Sequence, residues 1–226
     1  MAAEGSTETA RGKVQRTEPT KPQRAAARRF AESKATIPHL YLEIEAELPV
    51  AAIDDAETTA LVVRAAALAL HDHPRLNGAY RDGGFEAYSR INVGVAIGAG
   101  QDAVTPTIFD AYDKRADAIA AELASLRERT ESGALTSPEL AGGTFTVSVL
   151  SGSRVRSFAA IINQGQAAAL TAGGVTERAV VRESRVMISP VITLTLSCDA
   201  RIVGAGEAAA FLDALRSFLE EPDRLA

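Results

Sequence analysis

The sequence predicts an α/β fold, a two-layer α/β sandwich in which helices pack on a mixed β-sheet. Residues 37–48 alternate apolar and polar side chains, as in a strand with one buried face. Residues 110–130 repeat apolar side chains at intervals of three and four, as in an amphipathic helix. Further strand and helix patterns follow without strict alternation, which favours a sheet layered with helices.

Composition limits the class of protein. The chain has 226 residues, of which 46% are hydrophobic, and that is enough for one domain with a substantial core. Its net charge of −5 argues against a nucleic-acid partner, which would select a basic face. No apolar stretch approaches the roughly 18 residues that span a bilayer, and the N-terminus has no apolar signal core. We therefore expect a cytoplasmic protein with no membrane partner.

Two segments divide the chain. Residues 1–24 are polar and lack an apolar period, so they are expected to form a flexible tail. Residues 25–226 form the predicted domain. It opens on a helical stretch at 25–33, whose arginines are interpreted as a solvated helix face.

The elements of the domain follow in order. The strand at 37–48 places Leu40, Leu42, Ile44, Ala46 and Leu48 on one face, and His39, Tyr41, Glu43, Glu45 and Glu47 on the other. Next come a helix from Asp54–Asp55 through Leu70, a hairpin turning at Gly83-Gly84, a strand at 91–97, the helix at 110–130 and a strand at 144–150. Two strands at 179–188 and 191–198 and a helix at 206–220 complete the pattern.

Six segments, taken together, resemble one family. They read ESKATIPHLYLEIEAEL, HDHPRLNGAY, INVGVAIG, SGALTSPELAGGTFTVSVLSG, FAAIINQGQAAALTAGG and LTLSCDARIVGAGEAAAFLDALRSFLEEP. In order and spacing they resemble the catalytic domain of 2-oxo acid dehydrogenase dihydrolipoyl acyltransferases, over about residues 25–222. Gln164-Gly165 stands where that family has two prolines.

This resemblance implies a chloramphenicol acetyltransferase-like fold and a homotrimer with active sites between subunits. It also implies an acyl-coenzyme A or acyl-carrier-protein thioester as donor, with no bound cofactor. Only about 24 residues precede the domain, which leaves no room for lipoyl domains, so a stand-alone protein is expected. The last residues, EEPDRLA, offer only Leu225 for joining trimers into larger shells, so assembly is expected to stop at the trimer.

The terminal motif departs from the family. The family reads D-H-R-x-x-D-G or D-H-R-x-x-N-G, and its histidine is the general base. Here residues 199–204 read DARIVG, so Ala200 occupies the histidine position and Gly204 the Asp/Asn position. General-base help contributes about 10²–10⁴-fold to a rate. Because alanine accepts no proton, the motif predicts a divergent function.

Other site residues are retained. Ser148 matches the family serine that stabilises the tetrahedral oxyanion, although an ordinary hydroxyl on a strand face explains it nearly as well. Asp199 and Arg201 match the pair that holds the loop, and we expect a structural role for them near the site.

No other residue type clearly replaces the missing base. His39 lies in a stretch like the family's own and needs no new role. His71 and His73 are interpreted as helix-end histidines, and their i, i+2 spacing around Asp72 makes a poor metal site, so no metal is predicted. Cys198 shares a strand face with leucines, which favours a buried thiol over a nucleophile.

Three functions remain open. The first is an acyltransferase that moves an acyl group, for example acetyl, from a thioester to a small-molecule hydroxyl. Proteins resembling this core occur beside polyketide antibiotic pathways and acetylate tetronate hydroxyls, which ionise with less help from a base. The second is a non-catalytic structural homologue that keeps the trimer. The third is a lyase or cyclase acting on a thioester-like ligand.

Overall fold

A computed structural model of the chain describes residues 7–48, 55–98, 103–150, 152–221 and 225. The helices are α1 (Lys21–Thr36), α2 (Asp55–Asp72), α3 (Ala116–Glu131), α4 (Ser137–Ala141) and α5 (Ala205–Glu220). The strands are β1 (Thr7–Thr9), β2 (Gly12–Val14), β3 (His39–Glu47), β4 (Gly78–Arg81), β5 (Gly84–Ala87), β6 (Val93–Val95), β7 (Thr107–Ile108), β8 (Phe145–Val149), β9 (Ala168–Ala172), β10 (Thr176–Arg182) and β11 (Arg185–Asp199).

The main sheet is mixed. Its order is β10-β11-β9-β8-β6-β7, and β3 also pairs with β11. The β6–β8 and β8–β9 pairs are parallel, whereas β7, β10 and β3 each run antiparallel to their neighbours. The second half of β11 lies between β3 and β9, since Leu194 is opposite Ile44 on one side and Ala172 on the other.

One face of the sheet carries the core. Alternate side chains of the central strands point to this face, and helices α2, α3 and α5 cover it. The sheet contributes the fully buried side chains Val93, Phe145, Val147, Leu170, Ile192, Leu194 and Leu196. The helices contribute Val62, Leu70, Ile119, Leu123, Phe211 and Leu215. The mixed α/β fold is therefore confirmed.

The opposite face of the sheet is polar and is covered differently. Threonine and serine side chains of β8, β9 and β11 point to it, and the non-helical segment 152–166 crosses it. Thr171 donates a hydrogen bond to the carbonyl of Phe158 in that segment. Glu45 on β3 is bound by Arg156 and Arg178, and the hydrogen bond from Arg156 lowers the pKa of Glu45. Ion pairs within the chain therefore explain the presence of Glu45 on this face of the sheet.

The N-terminal segment holds more structure than its composition suggests. Helix α1 begins at Lys21, inside the stretch expected to be a tail, and β1 pairs with β2 ahead of it. Thr20 and Gln23 form a capping box at the start of the helix. The polar composition does not reveal where helix α1 begins, because the sequence signal is the three-residue spacing of Thr20 and Gln23. Flexibility of the remaining tail stays a prediction.

Two strands of the structure depart from the predicted pattern. β9 was not predicted, because AALTA is buried on both faces and shows no polar alternation. The expected strand at 179–188 contains the hairpin turn at Glu183 and Ser184, whose φ angles are 48° and 61°. Neither residue is a glycine, so the usual sequence signal for this turn is missing.

Two other boundaries move for similar reasons. The first hairpin turns at Asp82-Gly83, one residue earlier than expected, because both residues adopt the positive φ that a tight two-residue turn needs. Helix α3 starts at Ala116, not 110, since Asp110 is left-handed and a short 3₁₀ turn, Ala111–Asp113, intervenes.

Candidate functional site

Ser148 lies on the polar face of β8, on the side opposite the core residues Phe145 and Val147. It is half-buried, and none of the described residues is hydrogen-bonded to its hydroxyl. The group is therefore free to donate to a ligand. The sequence placed it on this face, and the structure confirms the placement.

Thr146, two residues earlier on the same face, is fully engaged. Its hydroxyl donates to Gln166 Oε1 at 2.7 Å and accepts from Asn163 Nδ2 at 3.0 Å. Gln166 in turn donates to the carbonyl of Gly143 at 2.9 Å. This network fixes β8 beneath Ser148. The network could not be predicted from the sequence, because Asn163 and Gln166 lie in a loop whose path over the sheet is a tertiary feature.

Asp199 and Arg201 form the brace that the sequence predicted near the site. Asp199 is 1% exposed and accepts from Arg201 Nε at 2.9 Å and from Nη2 at 2.6 Å. This bond raises the pKa of Arg201. The guanidinium also lies 4.3 Å from the centre of the Tyr80 ring, a cation–π contact that the sequence did not reveal. Arg201 is thereby held from two sides.

The loop itself is held by its backbone. Ala200 N–H donates to the carbonyl of Pro38 at 2.9 Å, and the N–H groups of Ile202 and Val203 donate to the carbonyl of Asp199. Ala200 is exposed, so position 200 is well fixed but presents only a methyl group. A side chain of any length at this position would project from an ordered loop.

Gly204 is the residue that caps helix α5. Its backbone is extended, with φ −83° and ψ 164°, and no side chain caps the helix there. A Cβ atom added at Gly204 meets no heavy atom within 4 Å. The chain therefore has room for a side chain at position 204, and an asparagine or aspartate would cap the helix in this position.

Ser148 and Ala200 of one chain are far apart. Ser148 is aligned with Thr171, which is aligned with Thr195 on β11. Thr195 lies two strand spacings from Ser148, or about 10 Å, and the end of β11 lies about 13 Å beyond Thr195 along the strand. Ala200 follows the end of β11, so it lies roughly 16 Å from Ser148. A group at position 200 therefore cannot reach a ligand bound at Ser148 of the same chain by direct contact.

His39 is committed to the backbone. Its Nε2 accepts from the N–H of Ile162 at 3.1 Å, and its Nδ1–H donates to the carbonyl of Ile37 at 2.8 Å. The tautomer follows because a backbone N–H can only donate. Burial also lowers the pKa of His39. Because the lone pair of Nε2 already accepts a hydrogen bond, His39 is not placed to act as a general base.

The remaining reactive side chains are also accounted for. His71 stacks on Tyr112 at 4.1 Å, and His73 meets Phe211 edge-on at 6.0 Å. Within the described part of the chain, no group of three or more His, Cys, Asp or Glu side chains is placed to hold a metal ion. Cys198 is fully buried, and burial raises the pKa of its thiol to about 11. The interpretation of Cys198 as a buried thiol is thus confirmed.

A cleft of about 360 Å³ opens beside the loop that carries Ala200. Its lining residues are Thr36, Ile37, Tyr80, Arg81, Gln164, Gly165 and Arg201. The volume suits a small molecule. From the sequence, Arg201 was expected near the site and Gln164-Gly165 was a departure from the family, but no cleft was predicted. The cleft forms through the packing of α1, β4 and the 162–166 loop.

No helix among the described residues combines the length and the apolar character needed to cross a membrane.

Comparisons with known proteins agree on one family. The model of the 2-oxoacid dehydrogenases acyltransferase (catalytic domain) matches residues 11–226. The dihydrolipoyllysine-residue acetyltransferase component of the pyruvate dehydrogenase complex from Rhizobium meliloti is 33% identical over 213 residues, which cover 87% of this chain and 48% of that protein. The chain therefore spans about half the length of the curated relatives it matches.

Solved structures give the same result. A probable dihydrolipoamide acetyltransferase from Listeria monocytogenes is 27% identical, with a TM-score of 0.85 over 92% of this chain and 95% of that one. Dihydrolipoamide acetyltransferase from Azotobacter vinelandii is 22% identical, with a TM-score of 0.86 over 100% and 99% of the two chains. The second match supports the fold alone.

Proposed function

Because the chain belongs to the 2-oxoacid dehydrogenase acyltransferase (catalytic domain) family, we propose that it transfers an acyl group from a thioester to a small-molecule hydroxyl that ionises without a protein base. The observation that carries the proposal is the contrast at the two site positions. Ser148 offers an unengaged hydroxyl, whereas the ordered loop at Ala200 offers only a methyl group. An acidic acceptor needs the first group and can act without the second.

The proposed reaction balances with these groups. The acceptor arrives as an oxyanion, and its oxygen attacks the thioester carbonyl carbon. The resulting tetrahedral oxyanion accepts a hydrogen bond from Ser148. Removing one such donor raises the activation free energy by about 3 kcal/mol in other enzymes. Collapse breaks the carbon–sulfur bond and releases a thiolate, which takes a proton from water. The donor is an acyl-coenzyme A or an acyl-carrier-protein thioester, and no bound cofactor takes part.

Named residues in a relative support the assignment of Ser148. The Azotobacter vinelandii structure belongs to an investigation of the role of one serine, one histidine and one asparagine in the catalytic mechanism of that enzyme. In the present chain, the motif positions carry Ser148, Ala200 and Gly204. The proposal therefore retains oxyanion stabilisation by Ser148 and gives up proton removal at position 200.

The site is proposed to lie between the subunits of a homotrimer. Ser148 and Ala200 lie roughly 16 Å apart within one chain by strand geometry, so a site using both regions needs a second copy. Light scattering at micromolar concentration tests this, and a monomer would contradict it. We propose further that assembly stops at the trimer; Leu225 is 1% exposed and packs into the core of its own chain, so it is not available to join trimers. A 24-subunit particle in sedimentation would exclude that limit.

The main experiment offers the protein acetyl-coenzyme A and a set of alcohols and enols. Mass spectrometry follows the acylated product, and a thiol reagent follows free coenzyme A. We expect acetylation of acceptors such as tetronates, in keeping with a role in polyketide metabolism. Activity should rise with pH through the pKa of the acceptor, and not near the histidine value of about 6.5. Action without an attached lipoyl domain, and a cytoplasmic location, stay predictions of the sequence.

A second candidate is a non-catalytic homologue of the acyltransferase core. The observation that favours it is that positions 200 and 204 carry alanine and glycine, which offer no reacting group, in a loop that Asp199 and Arg201 still hold in place. Binding of acetyl-coenzyme A without release of free thiol, for every acceptor tried, would select it. A substrate that loses water or cyclises, with no release of free thiol, would instead select a lyase or cyclase.

A further inference from the structure

We propose that the cleft beside the Asp199–Val203 loop binds the anionic oxygen of the acceptor, an enolate, between Arg81 and Arg201. The inference rests on the proposed function, since it names the chemical class of molecule that the site takes. It starts from the charge of the cleft wall. Two guanidinium groups line the cleft, and none of its lining residues is a carboxylate.

Arg201 is a prepared donor. A guanidinium has five N–H groups, and Asp199 takes one from Nε and one from Nη2. The remaining N–H groups are available toward the cleft, and the Arg201 side chain is 33% exposed. Asp199 and Tyr80 hold the plane of the group in place, so a ligand need not order it. Asp199 balances the charge of Arg201. The pair therefore contributes oriented N–H donors to the cleft and little net positive charge.

Arg81 supplies the net charge. Its nearest carboxylate is Glu86 at 3.6 Å, with the two side chains 58% and 43% exposed, which is a loose surface pair. The guanidinium is thus free to turn toward a ligand. Gln164 adds an amide to the same wall, and the Tyr80 ring provides an apolar surface. This combination suits a small, flat, oxygen-rich anion.

The end of helix α1 makes the cleft depend on Arg81. Thr36 is the last residue of α1 and lines the cleft, so the negative end of the helix dipole lies on one wall. With Arg201 balanced by Asp199, this dipole would repel an anion unless Arg81 offset it. Removing the charge at position 81 should therefore reduce binding of the anion selectively.

The cleft also lies beside the position that lacks a base. Ile37 lines it, and the next residue, Pro38, accepts the hydrogen bond from Ala200 N–H. Arg201 lines it and directly follows Ala200. An acceptor held here by its ionised oxygen arrives already deprotonated. The two arginines would thus favour the charged form that a general base creates in other enzymes.

The test measures binding without turnover. Isothermal titration at low salt compares tetronic acid with its O-methyl ether, which has the same ring but cannot ionise. The protein is used unmodified, as Arg81→Gln, and as Arg16→Gln, an exposed arginine outside the cleft that serves as a matched control. Desulfo-coenzyme A is titrated into each protein, because its phosphates are the alternative source of anionic oxygen.

We expect tetronic acid to bind at least tenfold more tightly than the ether. Arg81→Gln should weaken tetronic acid binding about tenfold and leave desulfo-coenzyme A unchanged, while Arg16→Gln should change neither. Equal binding of acid and ether, no binding of the acid, or a loss confined to desulfo-coenzyme A would overturn the proposal. If Arg81→Gln folds poorly by circular dichroism, Gln164→Ala tests the same wall, with a smaller expected loss of about threefold.

Acyl transfer measured in parallel separates this inference from the proposed function. Binding of tetronic acid that depends on Arg81, without any acetylation, would leave the cleft assigned and reject the acyltransferase proposal. Acetylation of tetronic acid that is unchanged by Arg81→Gln would support the acyltransferase proposal and reject the cleft as the site of the anionic oxygen.

Discussion

Strand β8 and the loop after β11 form the two halves of the candidate site, and they differ in what they present. Beneath Ser148, Thr146 ties β8 to the 163–166 loop, and the serine hydroxyl is left free. In the other half, Asp199 and Arg201 hold the loop equally well, but Ala200 presents a methyl group. The framework of a site and its reacting group are therefore separable, because different side chains provide them.

The largest effect should come from the brace of the loop. Replacing Arg201 with leucine would leave Asp199, which is 1% exposed, without its ionic partner. Breaking a buried pair in this way costs about 3 kcal/mol of unfolding free energy. Chemical denaturation measures it, and Ala200→Ser, at the exposed neighbouring position, should change stability by less than about 0.5 kcal/mol. Equal losses of unfolding free energy for the two variants would mean that the Asp199–Arg201 pair does not stabilise the loop.

A second pair of variants compares the two hydroxyls of β8. Ser148→Ala should lower acyl transfer about 10²-fold and leave stability nearly unchanged, since the hydroxyl has no partner among the described residues. Thr146→Val should cost about 1–3 kcal/mol, because it leaves Gln166 Oε1, which is buried, and the half-buried Asn163 amide without this partner. Denaturation curves and initial rates for both variants decide the point. A large stability loss for Ser148→Ala would mean that the serine is structural.

His39 offers a smaller test, through pH. Its folded-state pKa lies below the unfolded value near 6.5, because burial disfavours the charged ring. Between those two values the unfolded chain binds the extra proton, so stability should fall as the pH drops below about 6.5 and should level off above it. His39→Gln should flatten this part of the curve. Nitrogen NMR should find the ring proton on Nδ1, and a proton on Nε2 would contradict the hydrogen bond from Ile162.

The smallest effect is expected at Gly204. Gly204→Asn should stabilise the protein by a few tenths of a kcal/mol, because the amide oxygen can cap helix α5 in open space. Gly204→Ala is the matched control and should be destabilising, since alanine is a poor cap. Thermal unfolding separates the two. If both variants shift stability equally, the open space at this position is not available in the assembled protein.

The sequence predicted the parts of this molecule that rest on local pattern. Alternation along β3 and helical spacing in α5 marked both elements within a residue or two, and motif register located Ser148 and Ala200. The strand β9, the network around Thr146 and the cleft at Arg81 escaped prediction. β9 is buried on both faces and shows no polar alternation. The network and the cleft bring together side chains from distant segments, which spacing along the chain does not encode.

We propose that the family's base is missing at position 200, while Ser148 and the Asp199–Arg201 pair remain. The most direct measurement is acetylation of dihydrolipoamide from acetyl-coenzyme A, with the unmodified protein and with Ala200→His assayed side by side. A thiol of pKa near 8.5 is mostly protonated at neutral pH, so we expect no detectable transfer by the unmodified protein. Ala200→His should raise the rate at least about 10²-fold. Rapid acetylation of dihydrolipoamide by the unmodified protein would contradict the account, because another group would then be acting as the base.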